Sequence, residues 1–180
     1  MVEIRIHGRG GQGVVVASKL LSLALFQRGM WVQSFPTFGA ERRGAPVAAF
    51  VRMDEAPITL RCGIERPQVV LLLDHTLLKE SDPLAGLEAG GTLVVNSSTP
   101  PEVEAEVECY WVDAGRIASN MGLGSATHPV VNTTMIGAFA KATGLVEMEH
   151  VRVAFEKLLG NEARKNLEAA RYAYRKAVSC

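Results

Sequence analysis

Val2, Ile4 and Ile6 alternate with polar neighbours at the start of the chain, a period of two that predicts a β-strand with one face on a core. From Val14 to Phe26 the length and composition change to those of an apolar helix, and Gly29 stands where a left-handed cap would end it. Trp31 to Phe35 and Val47 to Met53 predict two more strands, the latter ending in an Asp54-Glu55 turn. Val69 to Leu73 is uninterrupted apolar sequence ending at Asp74, the pattern of a central parallel strand covered on both faces.

Thr76 to Ala89 predicts a helix broken near Pro83, and Gly90-Gly91 leads to a strand over Thr92 to Val95 and a polar turn at Asn96-Ser97-Ser98. Cys109 to Val112 predicts a further short strand. In the last third, Asn132 is placed to cap a helix that Gly144 ends. Val151, Ala154, Phe155, Leu158 and Leu159 form one helical stripe, and Ala163, Leu167, Ala170 and Tyr174 form another. Alternating strands and helices of this kind predict an α/β fold: a three-layer domain with a mostly parallel sheet and a helical C-terminal part.

With 180 residues, no linker and no repeat, residues 1–180 read as a single domain. A hydrophobic fraction of 48% argues against disorder, and a formal net charge of +0 argues against nonspecific nucleic-acid binding. Met1 runs directly into a strand without the features of a signal peptide, and no apolar run is long enough for a membrane span, so a cytoplasmic location is expected. Cys62, Cys109 and Cys180 are odd in number and far apart in sequence, which predicts neither a disulfide framework nor a local metal site.

Between the first strand and first helix lies Gly8-Arg9-Gly10-Gly11-Gln12-Gly13. Glycines there allow a sharp turn and a close approach of backbone N–H groups to an anion, beside the positive end of the helix dipole. The spacing satisfies the GxGxxG dinucleotide pattern, but Trp31 to Phe35 offers no acid to hold a ribose, which counts against NAD. Glycines that simply let helix pack on sheet explain the pattern equally well; Arg9 and Gln12, able to add directed hydrogen bonds, tip the reading toward a ligand or interface role.

A second loop, Phe35 to Pro46, holds Phe35, Phe38, Glu41, Arg42, Arg43 and Gly44. On the carboxyl edge of a parallel sheet it would stand beside the glycine loop, where guanidinium groups suit phosphate or carboxylate and an aromatic ring could cover a flat group. The opposing reading has Glu41 neutralise one arginine and water solvate the other. His7 could reach the anion loop but reads rather as paired to a nearby carbonyl, Asp74-His75 as an acid and base pair or a helix cap, and His128-Pro129 as a mobile or partner-contacting loop or an ordinary turn. None has partners at the spacing of a nucleophilic triad or metal site, so no catalytic and no metal-binding residue is assigned.

Ile6 to Val14, Ser34-Phe35-Pro36, Glu41 to Pro46, Asp54 to Arg61 with Pro57-Ile58, and Asn132 to Ala138 together resemble the gamma subunit of 2-oxoacid:ferredoxin oxidoreductases of the pyruvate and ketoisovalerate type. The likeness spans nearly the whole chain. It implies a subunit of a complex, of which pyruvate synthase is one form, that converts a 2-oxoacid and coenzyme A to an acyl-CoA and carbon dioxide and passes electrons to ferredoxin. It places thiamine diphosphate and the iron–sulfur clusters on alpha, beta and delta-type partner subunits, so this chain alone would be inactive and bind no cofactor by itself. It implies a role in assembly and in holding coenzyme A through Gly8, Arg9, Gly10, Gly11, Gln12, Gly13, Arg42, Arg43 and Gly44, with a homodimer possible when the subunit is isolated. A stand-alone nucleotide-binding enzyme and a purely architectural subunit are the alternatives.

Overall fold

In the computed structural model, which describes residues 1–37, 42–103, 106–125 and 127–180, the alternating opening becomes β1 (Val2–Arg9) and the apolar segment after it α1 (Val14–Gln27). There follow β2 (Trp31–Pro36), β3 (Pro46–Asp54), β4 (Val69–Leu72), α2 (Leu77–Glu80), β5 (Thr92–Asn96) and β6 (Glu108–Val112). Then come α3 (Ala114–Asn120), α4 (Val131–Thr143), α5 (Met148–Leu159), α6 (Ala163–Lys176) and a two-residue β7 (Val178–Ser179). The sheet runs β2-β3-β1-β4-β5-β6-β7. Its four central strands, β1, β4, β5 and β6, are parallel, while β3 and β7 run antiparallel to their neighbours.

One sheet face carries Ile4, Ile6, Val51, Leu71 and Val94 and is covered by α1 and the C-terminal helices, with Phe139 and Phe155 fully buried. The opposite face carries Val70, Leu72, Leu93 and Val95 under a thinner layer built from α2 and the flanking loops. The doubly covered apolar run of β4 is therefore central, as its composition predicts. Met135, Ile136 and Phe139 are core residues, whereas Leu158 of the α5 stripe is exposed at the rim of a groove between α1 and β2.

Three local expectations need correction. The helix expected over Thr76 to Ala89 shrinks to the single turn Leu77–Glu80, ahead of Pro83, which has no N–H to continue it; the Pro83 and Ala85 carbonyls beyond accept hydrogen bonds from the guanidinium of Arg5 on β1. Asn132 does not cap α4: the cap position is Val130, and the Asn132 amide reaches across to the Gly13 carbonyl at 3.3 Å. Cys109 and Cys180 do form a disulfide across 71 residues, with their α-carbons 5.3 Å apart, because β7 folds back beside β6. Cys62 remains free and exposed.

Candidate anion-binding site

Chain direction across the sheet reverses between β1 and β4: α1 leaves β1 on one face, and the connections after β4 and β5 lie on the other. A crevice is expected at the carboxyl ends of the strands at such a point. A cavity of about 610 Å³ opens there, lined by the glycine loop, Arg43 and Gly44, Asn96 at the end of β5, Gly115 at the start of α3, and Thr127 to Asn132 leading into α4. Three helix N-termini thus face one space. Among the described residues, the N–H groups of Gly11, Gly13, Val14 and Val15 donate to no protein acceptor, and the first turn of α1 holds no acidic residue to compete for the helix's positive end.

The glycine loop and the arginine loop are joined. Gly10 N–H donates to the Ala45 carbonyl at 2.8 Å, and Gly44 N–H returns a bond to the Gly10 carbonyl at 3.0 Å. The approach is so close that a Cβ on Gly10 would collide with the Arg42 carbonyl oxygen. Gly13 adopts φ 77°, a left-handed value that favours glycine, and a Cβ there would collide with the Asn132 amide.

The predicted site residues separate into three groups. Gly10, Gly11, Gly13, Arg43 and Gly44 line the cavity with backbone or side chain. Arg9 and Gln12 also line it, but their polar groups are engaged within the fold. The Arg9 guanidinium meets Asp74 at 3.1 Å, Glu80 at 2.8 Å and the Thr76 hydroxyl at 2.6 Å, tying β1 to the segment after β4. The Gln12 carbonyl oxygen accepts from Arg9 N–H at 2.7 Å while its amide donates to Asp74 at 3.0 Å.

Burial by itself would raise the Asp74 carboxyl, but hydrogen bonds from Thr76 and Gln12 and the charge of Arg9 outweigh it, leaving the carboxyl below the ordinary range. Asp74 is therefore a fixed anion serving Arg9, and His75 is not its partner among the described residues. Gly8 and Arg42 form the third group, outside the cavity lining. Gly8 is buried within β1, where a Cβ would strike Val14, and Arg42 contributes its backbone to the loop junction and leaves its side chain exposed. Phe35 packs against Phe50 with ring centres 5.1 Å apart instead of covering the cavity. Phe38 and Glu41 lie outside the described residues.

Sequence reading missed Asn96, Gly115 and Val130 to Asn132 as site residues. The Asn96 side chain accepts from Ala114 N–H at 2.9 Å and donates to the Leu73 carbonyl at 2.9 Å, so it fastens the start of α3 to the strand ends. Its position just after a predicted parallel strand was the available signal.

The chain matches the family profile described as pyruvate ferredoxin/flavodoxin oxidoreductase over residues 3–176. It is 45% identical to the pyruvate/ketoisovalerate oxidoreductases common subunit gamma of Thermococcus litoralis, over 99% of this chain and 98% of that one. It is also 45% identical to the pyruvate synthase subunit PorC of Methanocaldococcus jannaschii, over 97% of this chain and 96% of that one. The crystal structure of the pyruvate oxidoreductase subunit PORC from Thermotoga maritima superposes with a TM-score of 0.84 at 34% identity, covering 99% of this chain and 97% of that one. Sequence and fold agree from end to end, and the chain belongs to the pyruvate ferredoxin/flavodoxin oxidoreductase family.

Proposed function

We propose that this chain serves as the gamma subunit of a pyruvate/ketoisovalerate:ferredoxin oxidoreductase and that its glycine-loop cavity holds the phosphates of coenzyme A. The observation that carries the reading is that Gly11 and Gly13, whose N–H groups have no protein acceptor among the described residues, line one cavity together with Arg43. Backbone donors at a helix N-terminus stabilise phosphate without a matching charge, and a guanidinium adds a paired, charge-assisted contact. Arg9 supports the site from behind by holding the loop to Asp74 and Glu80.

The chain's cysteines, two paired and one alone, are not a ligand set for an iron–sulfur cluster, and among the described residues no three His, Cys, Asp or Glu side chains gather. The proposal gives electron transfer and the thiamine chemistry to partner subunits, with this subunit inactive alone. Phe26 and Trp31, 62% and 55% exposed near the β2 edge of the sheet, are the surface best suited to contact another subunit.

In the assembled complex, Arg43→Ala is expected to raise the coenzyme A KM about tenfold, the loss of one charge-assisted bond. The 2-oxoacid KM should stay within about twofold, and Arg42→Ala should have the smaller effect because its side chain is not at the cavity. An unchanged coenzyme A KM for Arg43→Ala would remove the assignment; dissociation of the complex instead would favour an architectural role.

A further inference from the structure

Arg43 does not point freely into the cavity. Its guanidinium lies 3.0 Å from His128 Nε2, linking the arginine loop to the turn that leads into α4. A guanidinium can only donate, so Nε2 must be the acceptor and the imidazole must be neutral with its proton on Nδ1. That proton has a partner, the Thr127 hydroxyl at 2.9 Å. The pair lines the same cavity as Gly11 and Gly13 of the glycine loop.

We propose that His128 is a second anion-binding side chain of this cavity: an incoming phosphate takes the Arg43 guanidinium from His128, and His128 then binds a proton and contacts the same anion. The proposal rests on the coenzyme A reading above and deepens it. Once Arg43 turns to the anion, Nε2 loses its donor and faces a negative charge, and both changes favour the imidazolium. The step balances as one proton taken from solvent for each anion bound, with no covalent change.

The charged surroundings leave room for that proton. Arg9, which also lines the cavity, is paired with Asp74 and Glu80. Asp113 is occupied in capping α3, where its side chain accepts from Arg116 N–H. The Lys165 ammonium is held by the Gly122 carbonyl at 2.7 Å, at the base of the same turn. Arg42 lies outside the cavity lining, and the Ser125 and Thr127 hydroxyls are neutral. Among the described residues, Arg43 is therefore the charged side chain hydrogen-bonded to His128.

The test uses the assembled complex and measures the coenzyme A KM against pH for wild type, His128→Gln, His128→Lys and Arg43→Gln. Glutamine can still accept from Arg43 but cannot be protonated; lysine is permanently charged. Because coenzyme A's own phosphate titrates in the same range, the readout is the ratio of each variant's KM to wild type, in which the ligand's titration cancels. For His128→Gln this ratio is expected to rise about tenfold as pH falls from ~8 to ~6, through the ordinary histidine range. The His128→Lys enzyme should show the converse, a ratio near one at the lower pH that falls at the higher.

Both His128 variants tracking wild type across that range would overturn the proposal while leaving the cavity assignment standing, provided Arg43→Gln raises the KM. An Arg43→Gln enzyme with an unchanged KM would overturn both. His128 is exposed, and circular dichroism with gel filtration establishes that each variant folds and assembles.

Discussion

His7 stands on β1, one residue before the glycine loop, with its Nε2 buried and without a hydrogen-bond partner among the described residues. Burial, with the Arg5 charge beside it, lowers its pKa from the usual 6.5 to about 4. The unfolded chain therefore binds a proton that the folded chain refuses over this interval, so the stability contribution is complete above about pH 6.5 and is lost as pH falls toward 4. The loss amounts to about 3 kcal/mol. Urea unfolding of His7→Leu should accordingly show a shallower fall in stability between about pH 7 and pH 4 than wild type, and parallel curves would contradict the assignment. The sequence reading that paired His7 to a carbonyl could not see this: the flanking strands β3 and β4 close over it, 41 and 65 residues away, with Ala48 and Leu72 in register. Arg9 makes the same point, since its partner Asp74 is 65 residues distant.

At the level of elements, most strands and long helices follow from periodicity, whereas the failures lie where an element ends or begins earlier than the pattern predicts and a side chain bonds a distant segment. Pro83 ends the expected Thr76 to Ala89 helix early and Arg5 binds the carbonyls beyond it, while α4 begins one residue before Asn132, whose amide donates to the Gly13 carbonyl. The packing of α4 on α6 provides a sharp test. At Gly137 a Cβ would collide with the Ala170 carbonyl oxygen, a backbone atom that cannot rotate away. Alanine ordinarily favours a helix over glycine by about 1 kcal/mol, so intrinsic propensity predicts that Gly137→Ala stabilises. The contact predicts the opposite sign, a loss of roughly 3 kcal/mol or more as the two helices separate, measurable by denaturant unfolding.

For the molecule as a whole, the C-terminal segment is what closes the sheet: β7 covers part of β6, Cys180 N–H donates to the Cys109 carbonyl at 3.0 Å, and the disulfide fastens the junction. Cross-linking across 71 residues restricts the unfolded chain, an effect of about 2–4 kcal/mol. Cys180→Ser should lower the melting temperature, and a reductant should bring wild type down to the level of the variant while leaving the variant unmoved. A wild-type protein insensitive to reductant would show that the bridge contributes nothing. On the other edge, β2 is the terminal strand and carries exposed Trp31, a surface available to a neighbour.

Local order needs only local information. The alternation of β1, the doubly apolar β4, the glycine-rich turn before α1 and the stripes of α5 and α6 all follow from the two- and 3.6-residue periods, and the family's segments lie in the chain as a linear string. Tertiary structure alone decided which charges are spent and which are free. Arg9, prominent in the motif, is consumed by Asp74 and Glu80, while Arg43 reaches the cavity mouth and meets His128 from a turn 85 residues away. It also decided that Cys109 and Cys180 meet. Periodicity specifies the direction in which a side chain leaves its own element, but electrostatic and covalent partnership depends on distances between elements, and those exist only once the sheet has formed.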